Sequence, residues 1–403
     1  MAQQKGGDRT WIGALVPIYG ITLIDVFGYM IMIPLLPYLA AKYGASGVVV
    51  GALLATMAVA STVAAPIWGS LSDRVGRKPV VLISQFVSLG GYIALALAPT
   101  LGALFVARGI AGIGGGNLGV TQSYIADVTP EPYRDRAYAI FGAVFGLGIV
   151  LGPVTGGFLV HYGFAVPFLV AALLELINIG LTLRFLPQVK RKSDERVSLV
   201  AAMRHVLKRP AVRALVVRHG LFIFAVTYFF TIFSLYVLRV LHGGPQLASW
   251  LIAGCGAVGG ITLVIAVGPL AKRYGDERVA LFGMGLSILA YAALGFAHHL
   301  WSFCAVLVVW SAGAACVEPT LSALLSKRAP ANERGAALGF NDAVSNLALM
   351  LAPALGGFVI DRAVGLVGVV PGAALIVAFA LGITGKRRAE GSERNVAITN
   401  APQ

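Results

Sequence analysis

Long apolar runs recur along the whole chain, and each is long enough to cross a lipid bilayer as a helix. Of the 403 residues, 58% are hydrophobic and only 12% are charged, whereas soluble domains carry about 25% charged residues. A helix needs about 20 predominantly apolar residues to cross the hydrocarbon core. The sequence therefore predicts an all-α membrane protein with twelve transmembrane helices. We number them spans 1 to 12, near residues 11–39, 46–69, 79–98, 101–126, 137–160, 164–186, 214–241, 246–271, 279–297, 300–326, 336–360 and 364–384.

The basic residues are distributed unevenly between the two sides of the predicted membrane. The formal net charge is +14, and with the N-terminus inside, all but four of the 31 Lys and Arg residues fall in cytoplasmic segments or at their edges. An excess of Lys and Arg on the cytoplasmic side orients a membrane protein. We therefore expect a multi-pass protein of the inner or plasma membrane with both termini in the cytoplasm. The basic charge is explained without a nucleic-acid partner. The four exceptions are Lys42, Arg108, Arg239 and Arg362.

Residue types that bind metals or nucleotides form no recognisable motif. Cys255, Cys304 and Cys316 fall in predicted spans without a Cys-x-x-Cys pair, and the six histidines include no His-Glu-x-x-His sequence. A glycine-rich phosphate-binding loop ending in Gly-Lys-Ser or Gly-Lys-Thr is also absent from the sequence. We therefore expect no metal site and no cofactor, and neither a membrane metalloprotease nor an ATP-driven protein is supported.

The chain contains two copies of one pattern, offset by about 200 residues. LGPVTGGFL at 151–159 returns as LAPALGGFV at 351–359, and GSLSDRVGRK at 69–78 returns as GPLAKRYGDE at 268–277. The repeat predicts two six-helix halves of the same orientation, an arrangement typical of alternating-access transporters. The predicted parts are an N-terminal half at 1–186, a cytoplasmic linker at 187–213 and a C-terminal half at 214–403 with a short cytoplasmic tail.

The linker leaves two interpretations open. Its segment SLVAAMRHVLKR at 198–209 begins with Ser198 as an N-cap and spaces Leu199, Met203 and Val206 along one side. This pattern is typical of a short basic helix on the cytoplasmic membrane surface. A solvated linker explains the same charges equally well.

Four motifs resemble those of the major facilitator superfamily. They are the loop GSLSDRVGRK at 69–78, IDVFGYMIMIPLLP at 24–37, ARGIAGIGGG at 107–116 and GIVLGPVTGGFL at 148–159. Together they resemble the twelve-span drug:proton antiporter branch, which includes tetracycline and multidrug exporters. The resemblance covers the whole chain and implies a secondary transporter, which we expect to be a monomer.

The charged loop between spans 2 and 3 is interpreted as a gating latch. An acid such as Asp73 is favoured beside a helix N-terminus, where unpaired N–H groups and the helix dipole attract negative charge. The resemblance implies that Asp73 faces the start of span 11 near Gly335 and that Arg77 pairs with Asp127. Because Lys272 replaces the acid in the second copy, we expect a one-sided latch. An ordinary solvated loop is the alternative. The residues assigned to the latch are Gly69, Asp73, Arg74, Gly76, Arg77, Asp127 and Arg134.

Span 5 is unusually rich in glycine. Glycines four residues apart let two helix backbones approach closely, and a proline adds a bend. Close packing alone explains the pattern. The resemblance adds the role of a hinge between the halves, formed by Gly148, Gly152, Pro153, Gly156 and Gly157.

Five ionisable residues fall inside predicted spans, namely Asp25, Arg108, Glu175, Glu318 and Asp342. Such groups are costly at bilayer depth and are functional candidates by default. Desolvation favours the neutral form of a carboxylic acid, so a buried acid can load and release a proton. The resemblance places spans 1, 4, 7 and 10 around a cavity. Glu175 is on a supporting span with Asn178 three residues on, so we expect an interhelical hydrogen bond there. We assign proton coupling to Asp25, Arg108, Glu318 and Asp342, with neutralisation of an acid as the alternative role for Arg108.

The expected cavity combines acids with aromatic side chains. Span 7 reads LFIFAVTYFFTIFSLY at 221–236, and ring faces can hold lipophilic cations. Aromatic packing against lipid or neighbouring helices is the alternative. The residues assigned to the substrate cavity are Asp25, Tyr29, Asn117, Phe224, Tyr228 and Glu318.

The sequence thus predicts a proton-coupled exporter of small lipophilic, cationic compounds, with the substrate, protons and the lipid bilayer as its partners. Two alternatives stay open. One is a proton-coupled uptake symporter for a small nutrient or metabolite, and the other is a membrane receptor or channel without coupled transport.

Overall fold

The structure is a computed structural model that describes residues 2–188, 209–329 and 334–399, and these ranges are helical with no strand. The linker segment 189–208, with the predicted surface helix, lies outside the described residues. The helices are Ala2–Met32, Leu36–Lys42, Gly47–Val75, Arg77–Ala96, Leu101–Gly115, Leu118–Val128, Arg134–Leu159, Ala165–Phe185, Pro210–Arg239, Pro245–Thr262, Gly268–Tyr274, Asp276–Leu294, Leu300–Arg328, Arg334–Arg362 and Val369–Thr399.

Within the described ranges, twelve segments are long and apolar enough to cross a membrane, as predicted. Their ends differ from the predicted ends by a few residues. The first and last helices continue beyond their spans into polar sequence near the two ends of the chain. The spans are Leu15–Lys42, Gly47–Val75, Arg77–Ala96, Leu101–Val128, Glu131–Tyr162, Ala165–Phe185, Pro210–Arg239, Pro245–Tyr274, Asp276–Leu294, Leu300–Arg328, Ala337–Arg362 and Val364–Thr384.

Local sequence sets several of the helix ends. Ser46 and Thr100 cap spans 2 and 4, because their hydroxyl oxygens accept hydrogen bonds from the backbone N–H groups of Val49 and Ala103. Gly76 ends span 2 with φ of +99°, a backbone conformation that favours glycine. The chain therefore turns sharply between spans 2 and 3 at the residue that the motif supplies.

Three of the spans are interrupted. Span 4 leaves helical geometry between Gly115 and Leu118. Span 1 leaves helical geometry between Met32 and Leu36, where Pro34 cannot donate a backbone hydrogen bond. Span 8 contains one π-helical turn at Leu263–Val267. Such interruptions are tolerated in membrane helices when neighbouring groups satisfy the freed backbone.

Helix packing repeats between the two sets of six spans. Span 3 packs against spans 4 and 6, and span 9 packs against spans 10 and 12 in the same way. Span 1 packs against span 5, and span 7 meets span 11 where a Cβ on Gly356 would lie 3.1 Å from Ile232. The internal repeat seen in the sequence is thus a repeat of helix packing.

The chain divides into two compact units. The first contains spans 1 to 6 together with Phe233–Gly256, and the second contains the remainder of spans 7 and 8 with spans 9 to 12. Within the first unit, Tyr38 Oη donates to Gly243 O at 3.1 Å, and Ser234 Oγ donates to Pro34 O at 3.1 Å. These bonds tie Phe233–Gly256 to the end of span 1. The boundary at 187–213 and the two halves as functional domains stay predictions.

Candidate functional site

A buried polar cluster of the first unit surrounds Asp25 in span 1. The side-chain amide of Asn178, in span 6, donates to Asp25 Oδ1 at 2.6 Å and to Ile21 O at 3.2 Å. Glu175 lies three residues before Asn178, so both side chains lie on the same face of span 6. Glu175 is 3% exposed, and its carboxyl group lies within hydrogen-bonding reach of that of Asp25. The interhelical hydrogen bond seen here is formed by Asn178, whereas the one that we expected from Glu175 stays a prediction. The same face of span 6 brings Glu175, a second acid, to Asp25.

Arg108 of span 4 lies in the same unit without an ion-pair partner among the described residues. Its side chain is 1% exposed, its Nε and Nη1 have no hydrogen-bond partner, and its guanidinium lies 6.0 Å from the ring centroid of Tyr29. Close helix packing holds span 4 in place, because a Cβ on Gly112 would lie 2.6 Å from Met57 O in span 2. The alternative role for Arg108, neutralisation of an acid, is not seen in this arrangement.

Spans 3 and 4 contribute two further polar residues to the first unit, Tyr92 and Asn117. Tyr92, which is buried, lies close enough to Asp25, Glu175 and Arg108 to interact with their charges. Asn117, which we expected in the cavity, donates from Nδ2 to Ser84 Oγ of span 3 at 2.7 Å. Asn117 thus joins two helices at the point where the helix of span 4 is interrupted.

The second unit has an aromatic cluster at the matching place. Trp310 Nε1 of span 10 donates to Tyr291 Oη of span 9 at 2.8 Å, and Tyr291 Oη donates to Ala225 O of span 7 at 2.8 Å. The ring of Phe229 lies 4.4 Å from that of Trp310. Ala225 is the residue that corresponds to Asp25 in the repeat. For Phe229 the structure therefore shows aromatic packing between helices.

The other residues assigned to coupling and to the cavity belong to the second unit. Phe224 and Tyr228 stack in span 7 with ring centroids 6.2 Å apart. Tyr228 is fully buried, and its hydroxyl has no partner among the described residues. Glu318 and Asp342, in the second unit, have exposed side chains. Their roles stay predictions.

The loop between spans 2 and 3 forms an ion-pair network inside the first unit. Arg77, which is buried, pairs with Asp127 at 3.0 Å and with Asp73 at 2.8 Å, and it donates to Ser72 Oγ at 2.6 Å. The expected pair of Arg77 with Asp127 is present. The roles of Gly69, Asp73, Arg74 and Arg134 as a latch, and the contact of Asp73 with span 11, stay predictions.

The matching loop of the second unit carries the opposite charges. Asp276 and Glu277 begin span 9 and pair with Lys327 and Arg328 at the end of span 10, at 2.5 Å and 3.1 Å. Arg218 of span 7, which is 2% exposed, adds a pair to Glu277 at 2.5 Å. We did not expect this network from the sequence. The sequence does contain a signal for it. Two acids stand at the start of span 9, and two bases stand at the end of span 10.

The glycines of span 5 approach two neighbours within the first unit. Added Cβ atoms on Gly148, Gly152 and Gly156 would lie 2.4–2.8 Å from atoms of span 1. A Cβ on Gly157 would lie 2.7 Å from Ser249 Cβ of span 8. The close packing expected for the motif is present, with Pro153 within the helix. The role of these residues as a hinge stays a prediction.

Comparisons with known proteins agree with the architecture. The family model of the major facilitator superfamily matches residues 18–243 and 219–399. The chain is 30% identical to the class C tetracycline resistance protein of Escherichia coli, over 84% of this chain and 88% of that protein. It is 31% identical to the class G tetracycline resistance protein of Vibrio anguillarum, over 82% of this chain and 86% of that protein.

A solved structure shows the same fold. The human organic anion transporter TETRAN superposes with a TM-score of 0.69 at 18% identity, over 93% of this chain and 99% of that chain. The resemblance to drug antiporters that the sequence motifs indicated is confirmed by the family model and by the tetracycline resistance relatives. The protein is therefore a multi-pass membrane transporter rather than an enzyme, and it belongs to the major facilitator superfamily.

Proposed function

We propose that the protein exports small lipophilic, cationic compounds from the cytoplasm in exchange for protons, by alternating access. The observation that carries the proposal is the half-buried carboxyl group of Asp25 in the first unit, whose Oδ1 accepts a hydrogen bond from the buried Asn178 side chain. A carboxyl group at bilayer depth binds and releases protons as its surroundings change between dry and hydrated. Proton coupling requires such a group.

The relatives support export as the direction of transport. Several of them are named tetracycline resistance proteins, and a membrane transporter that protects a cell from a compound does so by removing it. We extend this direction to the present chain. The aromatic side chains of span 7 and the exposed carboxyl group of Glu318 favour a lipophilic cation, since ring faces and a carboxylate both attract positive charge.

In the proposed cycle, protons enter from outside and reach Asp25, with Arg108 as the neighbouring charge that responds to its state. Two guanidinium nitrogen atoms of Arg108, Nε and Nη1, have no hydrogen-bond partner among the described residues, so it has donors available for a deprotonated acid or for a polar group of the substrate. Asp342 is a secondary proton site in this scheme. The substrate leaves to the outside, and the proton leaves to the cytoplasm.

The same proposal includes the location and assembly of the protein. Both termini lie in the cytoplasm, the membrane is the inner or plasma membrane, and the transporter acts as a monomer. Residues 187–213 link the two halves. The loop network around Arg77 holds one state closed at its cytoplasmic side and opens in the other.

Everted membrane vesicles test the proposal directly. Vesicles acidified inside should accumulate tetraphenylphosphonium when they contain the wild-type protein, and an ionophore that collapses the pH gradient should release it. Vesicles with the Asp25→Asn protein are the matched control. An uptake symporter would instead expel its substrate from such vesicles, and a channel or receptor would concentrate nothing. A resistance screen against a panel of toxins, including tetracycline, identifies further substrates.

A further inference from the structure

Two carboxyl groups from different spans lie beside one buried amide in the first unit. Asn178 Nδ2 donates to Asp25 Oδ1 at 2.6 Å, and Glu175 lies three residues before Asn178 on the same face of span 6, with its carboxyl group within reach of that of Asp25. Glu175 Oε1 and Asn178 Oδ1 are buried without a hydrogen-bond partner among the described residues. The carboxyl group of Glu175 therefore faces that of Asp25 and not a different polar partner among the described residues.

The groups that surround this pair provide no cation in contact with it. Span 3 presents the Tyr92 hydroxyl, and span 4 presents Arg108, which forms no ion pair within the described residues. Span 5 meets span 1 beside Asp25 with a glycine, Gly148. Two adjacent carboxylates without a compensating cation repel each other strongly in a buried site. The observed arrangement therefore requires a proton on the pair.

We propose that Asp25 and Glu175 bind one proton as a unit and that Asn178, through its hydrogen bond to Asp25, positions the two carboxyl groups. When two acids interact this closely, the protons come off in steps that belong to the pair and not to either residue. Glu175 is thus part of the proton site, although it lies on a span that the sequence assigned to a supporting role.

The charge of the pair suggests how transport is coupled, and this step rests on the function proposed above. With one proton the pair carries a single negative charge, and without it the pair carries two. Loss of the proton thus strengthens the attraction for a lipophilic cation, whereas proton binding weakens it. Proton and cationic substrate then compete for the same pair of carboxyl groups.

Infrared spectroscopy of the purified, substrate-free protein tests the pair. The carbonyl band of a protonated carboxyl group is followed as the pH is raised in wild-type, Asp25→Asn and Glu175→Gln proteins. If the pair binds one proton as a unit, either substitution removes the repelling neighbour, so the remaining acid loses its proton about one pH unit or more below the wild-type midpoint. Thr182→Val is the control, because Thr182 is fully buried in span 6 one turn beyond Asn178.

The outcomes are distinct. Midpoints that fall in both variants and stay at the wild-type value in Thr182→Val support the pair. If each substitution removes one component and leaves the other midpoint unchanged, the acids are independent and the proposal is wrong. The absence of a protonated carboxyl band from the wild-type protein near neutral pH also overturns it. Each acid shifts the midpoint of the other by the same amount, so one variant decides the question if the other does not fold.

Failure of the proposed function gives a different result. A wild-type protein that neither accumulates tetraphenylphosphonium in vesicles nor releases protons on binding it is not a cation:proton antiporter, whatever the infrared midpoints show. If the wild-type protein does exchange protons, the pH profile of that exchange should shift to lower pH in Glu175→Gln and remain unchanged in Thr182→Val.

Discussion

The two units place different chemistry at matching positions of a repeated helix arrangement. In the first unit, Asp25 of span 1 meets an amide and a second acid, with Tyr92 of span 3 nearby. In the second unit, Ala225 stands in place of Asp25, and its carbonyl oxygen accepts a hydrogen bond from Tyr291 of span 9. The two tyrosines have the same sequence offset as Gly76 and Gly275, which turn the chain before spans 3 and 9.

The difference shows which features the repeat preserves. In both units the same helices pair, and a tyrosine lies on the third helix of the six. Whether an ionisable group lies near that tyrosine depends on the residue on the first helix, which is Asp25 in one unit and Ala225 in the other. Trp310 donates a hydrogen bond to Tyr291, and Tyr291 donates one to a backbone carbonyl oxygen. Neither of these side chains titrates near neutral pH. We therefore expect the main proton site to reside in the first unit, with the second unit supplying packing, part of the substrate surface and the secondary site at Asp342.

The largest effect is expected at Asp25. Asp25→Asn keeps the shape of the side chain and can still bond to Asn178, so the protein should fold. It cannot be ionised, and we expect pH-gradient-driven efflux of every substrate, charged or neutral, to be abolished while binding survives. Efflux from everted vesicles and equilibrium binding in detergent measure the two properties. Efflux still driven by the pH gradient in this variant would place the proton elsewhere.

A second comparison concerns the loops that precede spans 3 and 9. Span 3 begins with a base that pairs with an acid of span 4, Arg77 with Asp127, and span 9 begins with an acid that pairs with a base of span 10, Asp276 with Lys327. Each network ties two neighbouring helices together. The charge at the start of span 9 is thus opposite in sign to the charge at the start of span 3, so the two loops differ in the charge that they offer to a partner.

The next largest effect is expected at Asp73. Asp73→Asn keeps the volume and removes the charge that pairs with Arg77, so the protein should reach the membrane but transport only weakly, with a loss of roughly tenfold if the charge-assisted contact contributes about 1.4 kcal/mol to one state. Lys272→Gln changes the matching residue of the second loop and should have little effect. Wild-type transport rates in both variants would show that the latch interpretation is wrong.

A selective effect is expected at Glu318. Its side chain is exposed, and an exposed carboxylate can attract a cationic substrate. We therefore expect Glu318→Gln to weaken efflux of cationic substrates and to spare neutral ones, which gain little from a carboxylate. Tetraphenylphosphonium and a neutral substrate identified in the resistance screen are measured in one vesicle preparation. Equal loss of both substrates would assign Glu318 to proton coupling instead.

The smallest effect is expected in the aromatic cluster. Tyr291→Phe removes the hydroxyl group that links Trp310 to Ala225 O, and hydrogen bonds of this kind contribute about 1 kcal/mol to stability. The melting temperature in detergent should fall by a few degrees at most, and the pH dependence of transport should not change. A changed pH dependence would show that the aromatic cluster itself takes part in proton coupling.

Much of the fold could be predicted from the sequence because the membrane restricts it. Apolar length and charge placement suffice for twelve spans, and the repeat predicts which helices pack together. The break after Met32 and the π-helical turn at Leu263–Val267 could not be predicted, since they depend on how neighbouring helices satisfy the freed backbone.

The candidate site was predicted only in part. Asp25 and Arg108 were identified because a charge inside an apolar run is conspicuous, and the resemblance supplied the pair of Arg77 with Asp127. The direct approach of Glu175 to Asp25 was missed, since sequence spacing fixes the face that Glu175 shares with Asn178 but not the rotation of span 6 about its axis. The ion pair of Arg218 was likewise missed, because its partner Glu277 lies on another helix.

The central claim is that the proton exchanged for substrate binds mainly at the Asp25 cluster of the first unit, and proton movement itself tests it most directly. Proteoliposomes with a trapped pH indicator receive an outward gradient of tetraphenylphosphonium, and counterflow of the same cation is measured at equal pH in parallel. We expect the substrate gradient to drive proton movement with the wild-type and Tyr291→Phe proteins. With Asp25→Asn, no proton movement should accompany a counterflow that persists. Proton movement that persists in Asp25→Asn, or that disappears in Tyr291→Phe while counterflow continues, would contradict the account.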